Sequence, residues 1–218
     1  PNHSGFWRPR DPDAKVYVKL VARTAPVIRS INPEARIIGG ALAGVPFDFI
    51  SACFREGIKE HIDVLSFHPY RERPEEKYDD EMNRLRKLLE MQSAACTLWQ
   101  GENGCPSVGG TGSAGALSEL PWDETLQAKW LLRRIMADLK NELELTSYFH
   151  IVDLVGYRGE TNYKGLLRGN DYTPKPAYYA YQRLCALFDA ETKVTAKQDN
   201  VLEYVLPDDS PTLNASEV

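Results

Sequence analysis

Cysteine and histidine are scarce in this chain, with four of each among 218 residues. Cys53, Cys96, Cys105 and Cys185 form no C-x-x-C and have no histidine at ligand spacing, which argues against a zinc site. Four cysteines allow three complete pairings, and spacing does not choose among them. Cys53 and Cys185 fall in apolar helical patterns and are expected as buried free thiols, whereas Cys105 stands in a polar stretch and is expected nearer the surface. Long apolar runs are missing as well: none approaches the ~20 residues of a membrane-spanning helix. Charge of one sign is also lacking. The 26 Lys and Arg against 31 Asp and Glu leave a net charge of −5, mixed along the chain, without the basic footprint of nucleic-acid binding. The start, Pro1-Asn2-His3, has no initiator methionine, signal peptide or capped first element, and reads as a segment of a longer chain. The two N-x-S triplets, at Asn2 and Asn214, are of a kind that arises by chance.

What is present is a regular alternation. Asp11-Pro12 predicts a helix start, followed by Tyr17, Leu20, Val21, Thr24, Ile28 and Ile31 at helical spacing, and Asn32-Pro33 predicts its stop. Ala35–Ala41 reads as a buried strand, and Phe49, Ile50, Cys53 and Phe54 as a helical face closed near Gly57. Ile62–Phe67 is a second strand, Met82, Leu85, Leu88 and Leu89 mark a helix, and Thr97–Gln100 is a third strand. After a Gly/Ser-rich loop from Gly101 to Pro121, Asp123 opens a helix carrying Leu126, Trp130, Leu131, Ile135 and Leu139. Tyr148–Val155 predicts a fourth strand, and Pro176 opens a last helix through Tyr181 and Phe188. The texture changes from Glu191, where Val201–Leu206 suggests one strand. Strands alternating with helices imply a parallel sheet with right-handed crossovers, either a doubly wound open sheet or part of a β/α barrel.

Polar and aromatic residues gather where these strands end: His68-Pro69-Tyr70, Gly101-Glu102-Asn103-Gly104 and Gly156-Tyr157-Arg158. In barrels the carboxyl ends of the strands carry the active site. Strand alternation puts Leu98, Gln100 and Glu102 on one face of their strand and, likewise, Val64, Ser66, His68 and Tyr70 on one face of theirs; with Glu102 pointing into the barrel mouth, His68 and Tyr70 are expected to converge on it from the neighbouring strand. A hydroxyl or imidazole donating to a carboxylate favours its ionised form, as a nucleophile or base requires. A glutamate in a glycine-rich turn, taken alone, is a solvated loop residue, and a lone histidine at a strand end is a structural one. It is the matched pair that points to a site. Gly110–Gly115 matches G-x-G-x-x-G, but no strand immediately precedes it and Pro121 follows soon after, so it reads as a mobile loop rather than a dinucleotide site. The acidic stretch Glu75–Glu81 reads as a solvated helix start. No metal or cofactor site is predicted.

Taken together, these motifs resemble clan A glycoside hydrolases, of family 39 or family 5-like type. Pro1-Asn2-His3-Ser4-Gly5-Phe6-Trp7 is similar to the tail of the Asn-Glu-Pro-Asn motif that ends the family's fourth strand, His68-Pro69-Tyr70 to the H-x-Y ending its sixth, and LWQGENG around Glu102 to the end of its seventh. Asn162–Leu166 through Lys175–Tyr181 resembles the last loop and helix. The resemblance spans Pro1 to Phe188. It implies an α/β fold, a partial (β/α)8 barrel from the end of the fourth strand to the eighth helix, over residues 1–190, with 191–218 starting a following β module or linker. It further implies retaining hydrolysis of a glycoside or polysaccharide by two carboxylates, with Glu102 as nucleophile, Tyr70 and His68 at its side, and an acid/base glutamate immediately ahead of Pro1. The amino-terminal half of the barrel is then the expected partner, in the same polypeptide. Substrate-binding residues implied are Asn2, Trp7, Asn103 and Tyr157, the last standing where the family's eighth strand usually ends in tryptophan. Trp122 is a weaker candidate platform, and Trp99 and Trp130 read as core. The alternative is a non-catalytic carbohydrate-binding or structural barrel domain.

Overall fold

A computed structural model describes residues 1–109, 117–189, 192–198 and 201–205. The chain divides into two compact units. The first comprises Pro1–Arg71, Glu75–Asn103 and Leu143–Tyr148, and the second Glu72–Pro74, Gly104–Glu142 and Phe149–Val218.

The first unit holds a four-stranded parallel sheet, ordered β1 (Ile38–Ala43), β2 (Val64–His68), β3 (Thr97–Gln100) and β4 (Leu145–Thr146). Helices α1 (Ala14–Ile31), α2 (Phe47–Arg55) and α3 (Tyr78–Met91) alternate with the strands. This is the architecture of a partial β/α barrel. β2 is buried along Val64–Phe67, as befits a parallel strand covered on both faces. Leu65 and Leu42 of the sheet meet Tyr17 of α1 and Ile50, Cys53 and Phe54 of α2 around a small apolar void. Burial pushes the Cys53 thiol there up to about 12, so it stays protonated.

Local chemistry sets the boundaries. The cap of α1 is Asp13, whose carboxylate accepts from Val16 N at 3.0 Å, two residues beyond the expected Asp11. Its buried side carries Val18 and Ala25, while Leu20, Ile28 and Ile31 of the expected apolar stripe are exposed. In β1 the ladder shifts register between Gly40 and Leu42, with Ala41 at φ 50°. Gly40 sits at φ 96°, and a Cβ there would lie 2.3 Å from the Ser66 carbonyl oxygen, so only glycine fits.

The second unit contains α4 (Glu124–Lys140), capped by Asp123, and α5 (Pro176–Leu187), with proline in its first turn. Within α4, Arg134 and Asp138 form a buried pair one helical turn apart, at 2.6 Å, and Arg134 also reaches the Pro74 carbonyl. The expected strand Tyr148–Val155 does not exist as such. Its groups 150–153 bond instead to the loop 165–167: Leu166 N donates to His150 O, Leu167 N to Ile151 O, and Asp153 N to Leu167 O. The chain then enters an antiparallel hairpin of β5 (Leu154–Tyr157) and β6 (Glu160–Asn162). Arg158 and Gly159 at its tip have φ 53° and 86°, the paired positive angles of a two-residue type I′ turn. Farther on, β7 (Lys193–Gln198) and β8 (Val201–Val205) form a second antiparallel hairpin.

The described cysteines are all free. Cys105 is buried and Cys185 exposed, the reverse of expectation for both. Cys105 is enclosed because its sulfur faces the Gln127 carbonyl while Gln127 Nε2 donates to the Cys105 carbonyl. Among the described residues no helix is long and apolar enough to cross a membrane, and no cluster of His, Cys, Asp and Glu could hold a metal ion. Gly110–Gly115 and Asn214 lie outside the described residues.

Candidate active site

At the carboxyl ends of β2 and β3 the chain leaves the sheet in short polar turns. Tyr70 Oη donates to Glu102 Oε1 at 2.9 Å, and His68 Nδ1 stands 3.6 Å from Glu102 Oε2. The first is a hydrogen bond; the second is an electrostatic approach. The Glu102 side chain is about one-third exposed (36%) and half as much of His68 (18%) is open to solvent. Burial lowers the His68 pKa and outweighs the Glu102 charge, which raises it, so the neutral imidazole is favoured.

The alternation expected to unite these groups is not what unites them. Ser66 is in register with Trp99, and Phe67 with Gln100. Gln100 therefore shares the face of Phe67, opposite to that of Ser66 and His68. Glu102 lies past Gln100, the last residue of β3, where the strand period no longer sets the side-chain direction, although Gly101 N still donates to the Phe67 carbonyl at 3.0 Å. Gly101 packs closely on β2: a Cβ there would lie 2.1 Å from Ser66 Oγ, so the Ser66 hydroxyl would have to turn aside. Gln100 itself is buried and its Oε1 accepts from Ser147 N at 3.0 Å, tying β3 to the end of β4.

Asn2 belongs to the same place. Its Nδ2 donates to Ala43 O and its Oδ1 accepts from Ala43 N, both at 2.9 Å, which fixes the Pro1–His3 segment to the end of β1. Together Pro1, Asn2, Phe6, Ala43, His68 and Glu102 border a cleft of about 440 Å³. Phe6 rather than Trp7 lines it. Trp7 turns back, half-buried, to donate through Nε1 to the Pro1 carbonyl, while Phe6 is 84% exposed and edge-on to His3 at 5.7 Å. The sequence signal for Phe6 is the aromatic doublet Phe6-Trp7, which does not tell which ring faces the cleft.

Asn103 is buried immediately after Glu102. Tyr157 lies on the β5–β6 hairpin of the second unit and lines a cleft of that unit. Trp122 is buried with its Nε1 bonded to the Leu117 carbonyl, which removes it as a platform. Trp130 is core as expected, whereas Trp99 is half-buried and donates to Glu144 at 2.8 Å.

A different chemistry occupies the amino ends of the strands. Glu144 accepts from Arg36 at 2.6 and 2.8 Å, from Trp99, and from Thr97. The Arg36 and Thr97 bonds hold its carboxyl down at about 2. Asp63 accepts from Ile37 N at 2.6 Å and from Arg29 at 2.8 Å, and is likewise held low.

No family model and no curated protein matches the chain. Solved structures do. The chain is similar to a GH39 β-xylosidase from Caulobacter crescentus, at 22% identity and a TM-score of 0.62 over 96% of this chain and 42% of that one. It is similar also to the GH39 enzyme from Xanthomonas axonopodis pv. citri, at 21% identity and a TM-score of 0.57 over 85% of this chain and 40% of that one. A GH2 β-galacturonidase from Eisenbergiella tayi aligns at 17% identity and a TM-score of 0.55, over 76% of this chain and 29% of that one. The chain thus spans less than half the length of these enzymes, and what it shares with them is a glycosidase barrel fold.

Proposed function

We propose that the chain is the carboxyl-terminal half of the catalytic barrel of a retaining O-glycosyl hydrolase acting on a glycoside or polysaccharide, with Glu102 as the nucleophile. The observation that carries this reading is the Glu102 carboxylate, hydrogen-bonded by Tyr70 at 2.9 Å and facing a cleft of about 440 Å³. One carboxylate oxygen attacks the anomeric carbon. The bond from that carbon to the leaving oxygen breaks, and a glycosyl ester forms on Glu102. Water then displaces Glu102, and the anomeric configuration is restored.

The proton taken by the leaving oxygen comes from a second carboxyl group, which must lie ~5–5.5 Å from the first in a retaining enzyme. We assign it to a glutamate in the amino-terminal half of the barrel, at the position the Asn-Glu-Pro-Asn resemblance gives it, next to Pro1. The Asn2 clamp on Ala43 supports this by fixing that segment on the rim of the Glu102 cleft. Tyr70 orients the carboxylate through its hydrogen bond to Oε1. The neutral His68 adds a polar wall without a competing positive charge. Of the residues the resemblance names for the substrate, Asn2 borders the Glu102 cleft and is proposed to meet the sugar there, with the exposed Phe6 ring in the place expected of Trp7.

The test is turnover of a panel of aryl glycosides by the complete polypeptide. Glu102→Gln should lower kcat by roughly three orders of magnitude or more. Azide should rescue Glu102→Gly and yield a glycosyl azide of inverted configuration. Turnover of Glu102→Gln at the parent rate overturns the assignment.

A further inference from the structure

Helix α1 has two apolar faces. At ~100° per residue, its buried Val18 and Ala25 lie on one side, and Val16, Leu20, Val27 and Ile31 fall within an arc of ~60° centred ~160° away from them. These four side chains are 44–82% exposed. Among the described residues no other helix has such a band: α2 exposes no large apolar side chain, and α3, α4 and α5 expose one each, Met91, Leu132 and Tyr179. Apolar groups gathered along one side of a whole helix mark an interface, unlike apolar residues scattered singly over a surface.

Closing a barrel does not cover this band. A helix of a β/α barrel touches the sheet beneath it and one helix on each flank. The sheet lies under the buried face of α1, where Tyr17 Oη accepts from Gly40 N at 2.7 Å and Arg29 meets Asp63, just ahead of β2, at 2.8 Å. α2 holds the flank of Tyr17, whose ring centroid is 6.2 Å from that of Phe49. The opposite flank carries Lys15, Lys19, Pro26 and Ser30, all exposed. The band points away from the sheet, so what covers it comes from outside the barrel.

The spacing names the occupant. From Val16 to Leu20, Val27 and Ile31 the steps are four, seven and four residues, the same series read from either end, with its centre between Arg23 and Thr24. A pattern that survives reversal is complementary to itself under a two-fold axis, the symmetry of most protein dimers. We infer that the outer face of α1 is the interface for a second copy of the chain, the two helices packing antiparallel about an axis at Arg23 and Thr24. Val16 then comes beside Ile31 of the second copy, and Leu20 beside its Val27. Arg23 comes beside its own counterpart, a like-charge contact that weakens the pair and that salt relieves. The 18-residue helix is ~27 Å long and ~10 Å wide, so the pair buries far less than the ~1,600 Å² of a standard interface and associates with a Kd of roughly 10–100 µM. An acidic partner or an anionic lipid surface would draw on Lys15, Lys19 and Arg23, would bind less tightly as salt rises, and would need no reversible spacing. The interface stands or falls independently of Glu102.

Sedimentation velocity of the complete polypeptide, from about 5 to about 300 µM, tests this by mass action. The sedimentation coefficient should rise with concentration toward that of a dimer. Leu20→Glu should weaken association at least tenfold while Tm holds, because the side chain is exposed. Arg23→Gln should tighten it several-fold, and raising salt from about 50 to about 500 mM should tighten the parent more than Arg23→Gln. Oxidation with copper phenanthroline fixes the register. Above the background of the parent, Thr24→Cys should link to itself, and Val16→Cys should link to Ile31→Cys when the two are mixed but not to itself. A monomer at every concentration and salt, or a dimer that Leu20→Glu leaves intact, overturns the interface. Self-linking of Val16→Cys overturns the antiparallel pair. Leu20-dependent flotation of a monomer with phosphatidylcholine–phosphatidylglycerol vesicles assigns the band to a lipid surface instead, and association that weakens with salt assigns it to an acidic partner; either overturns the pair.

Discussion

The two ends of the parallel sheet treat carboxylates in opposite ways. At the amino ends, Glu144 and Asp63 are matched with guanidinium groups and backbone or side-chain donors, and both are held in their ionised form. At the carboxyl ends, Glu102 meets a phenol hydroxyl and a neutral imidazole and opens on a cleft. A carboxylate paired with a cation is stabilised in place and poor at doing anything else. One held by neutral donors keeps a lone pair for a ligand. The contrast follows the general rule for β/α barrels, in which the amino-terminal face carries stability and the carboxyl-terminal face chemistry.

Exchanging the two carboxylates for amides is the strongest way to break the contrast. Glu102→Gln should abolish turnover as described above while changing Tm little, whereas Glu144→Gln should leave kcat within about twofold of the parent, an effect under ~0.5 kcal/mol by the transition-state relation. Parallel kcat and calorimetric measurements on both variants check this, and equal losses of activity would erase the distinction.

Next in size is Tyr70→Phe. It deletes one hydrogen bond to a charged group, a class of bond that contributes ~1.5–3 kcal/mol. The expected drop in kcat is roughly 10–100-fold, with KM moved less, because the bond orients the attacking carboxylate. A loss confined to KM would make Tyr70 a substrate contact instead.

The stability cost of Glu144→Gln is smaller. The side chain is 41% exposed, so solvent discounts the pair to ~1 kcal/mol or less. In a domain of this size that corresponds to a Tm drop of ~2–4 °C in a thermal melt. No change in Tm would make the Arg36–Thr97–Trp99 network ornamental.

The smallest effect is in pH dependence. The folded Glu144 carboxyl is depressed to about 2 from 4.5, so its contribution is complete above the ordinary value and fades as pH falls from there through about 2. His68 works in the other register. Its folded pKa is lowered, so the unfolded chain binds the proton more readily and stability declines as pH falls below 6.5. His150, whose pKa burial also lowers, adds a slope of the same sign, so urea titrations at stepped pH should show a slope below pH 6.5 that His68→Gln reduces and Glu144→Gln leaves intact.

The central strands and Glu102 were legible in the sequence because their signals are local: a continuous apolar run for Val64–Phe67, and a Gly-flanked glutamate at a strand end. The fourth strand was not. Leu145–Thr146 is two residues long and carries no period, whereas Tyr148–Val155 has a strand's composition while its backbone groups bond to the loop 165–167. Local composition does not reveal which distant segment will satisfy a carbonyl. The same limit hid the buried pairs. Asp153 and Lys175, 2.7 Å apart, are 22 residues distant in sequence, and nothing near either one marks it as ionic and enclosed. Alternation named the right neighbours of Glu102 for a reason the register of β2 and β3 does not support. Glu102 stands past the end of β3, where that period no longer applies, and Tyr70 and His68 meet it there.

Asn2 has a mechanical meaning beyond the cleft. By donating and accepting at the one residue Ala43, its amide does for the end of β1 what a neighbouring peptide group does for an interior strand. A slip of β1 by one residue would break both bonds at once and turn every side chain of the strand to the opposite face. A strand that already contains an irregularity at Gly40–Leu42 has lost one guarantee of its alignment. The amide restores it from outside the sheet, acting as a stop that sets where the strand must end.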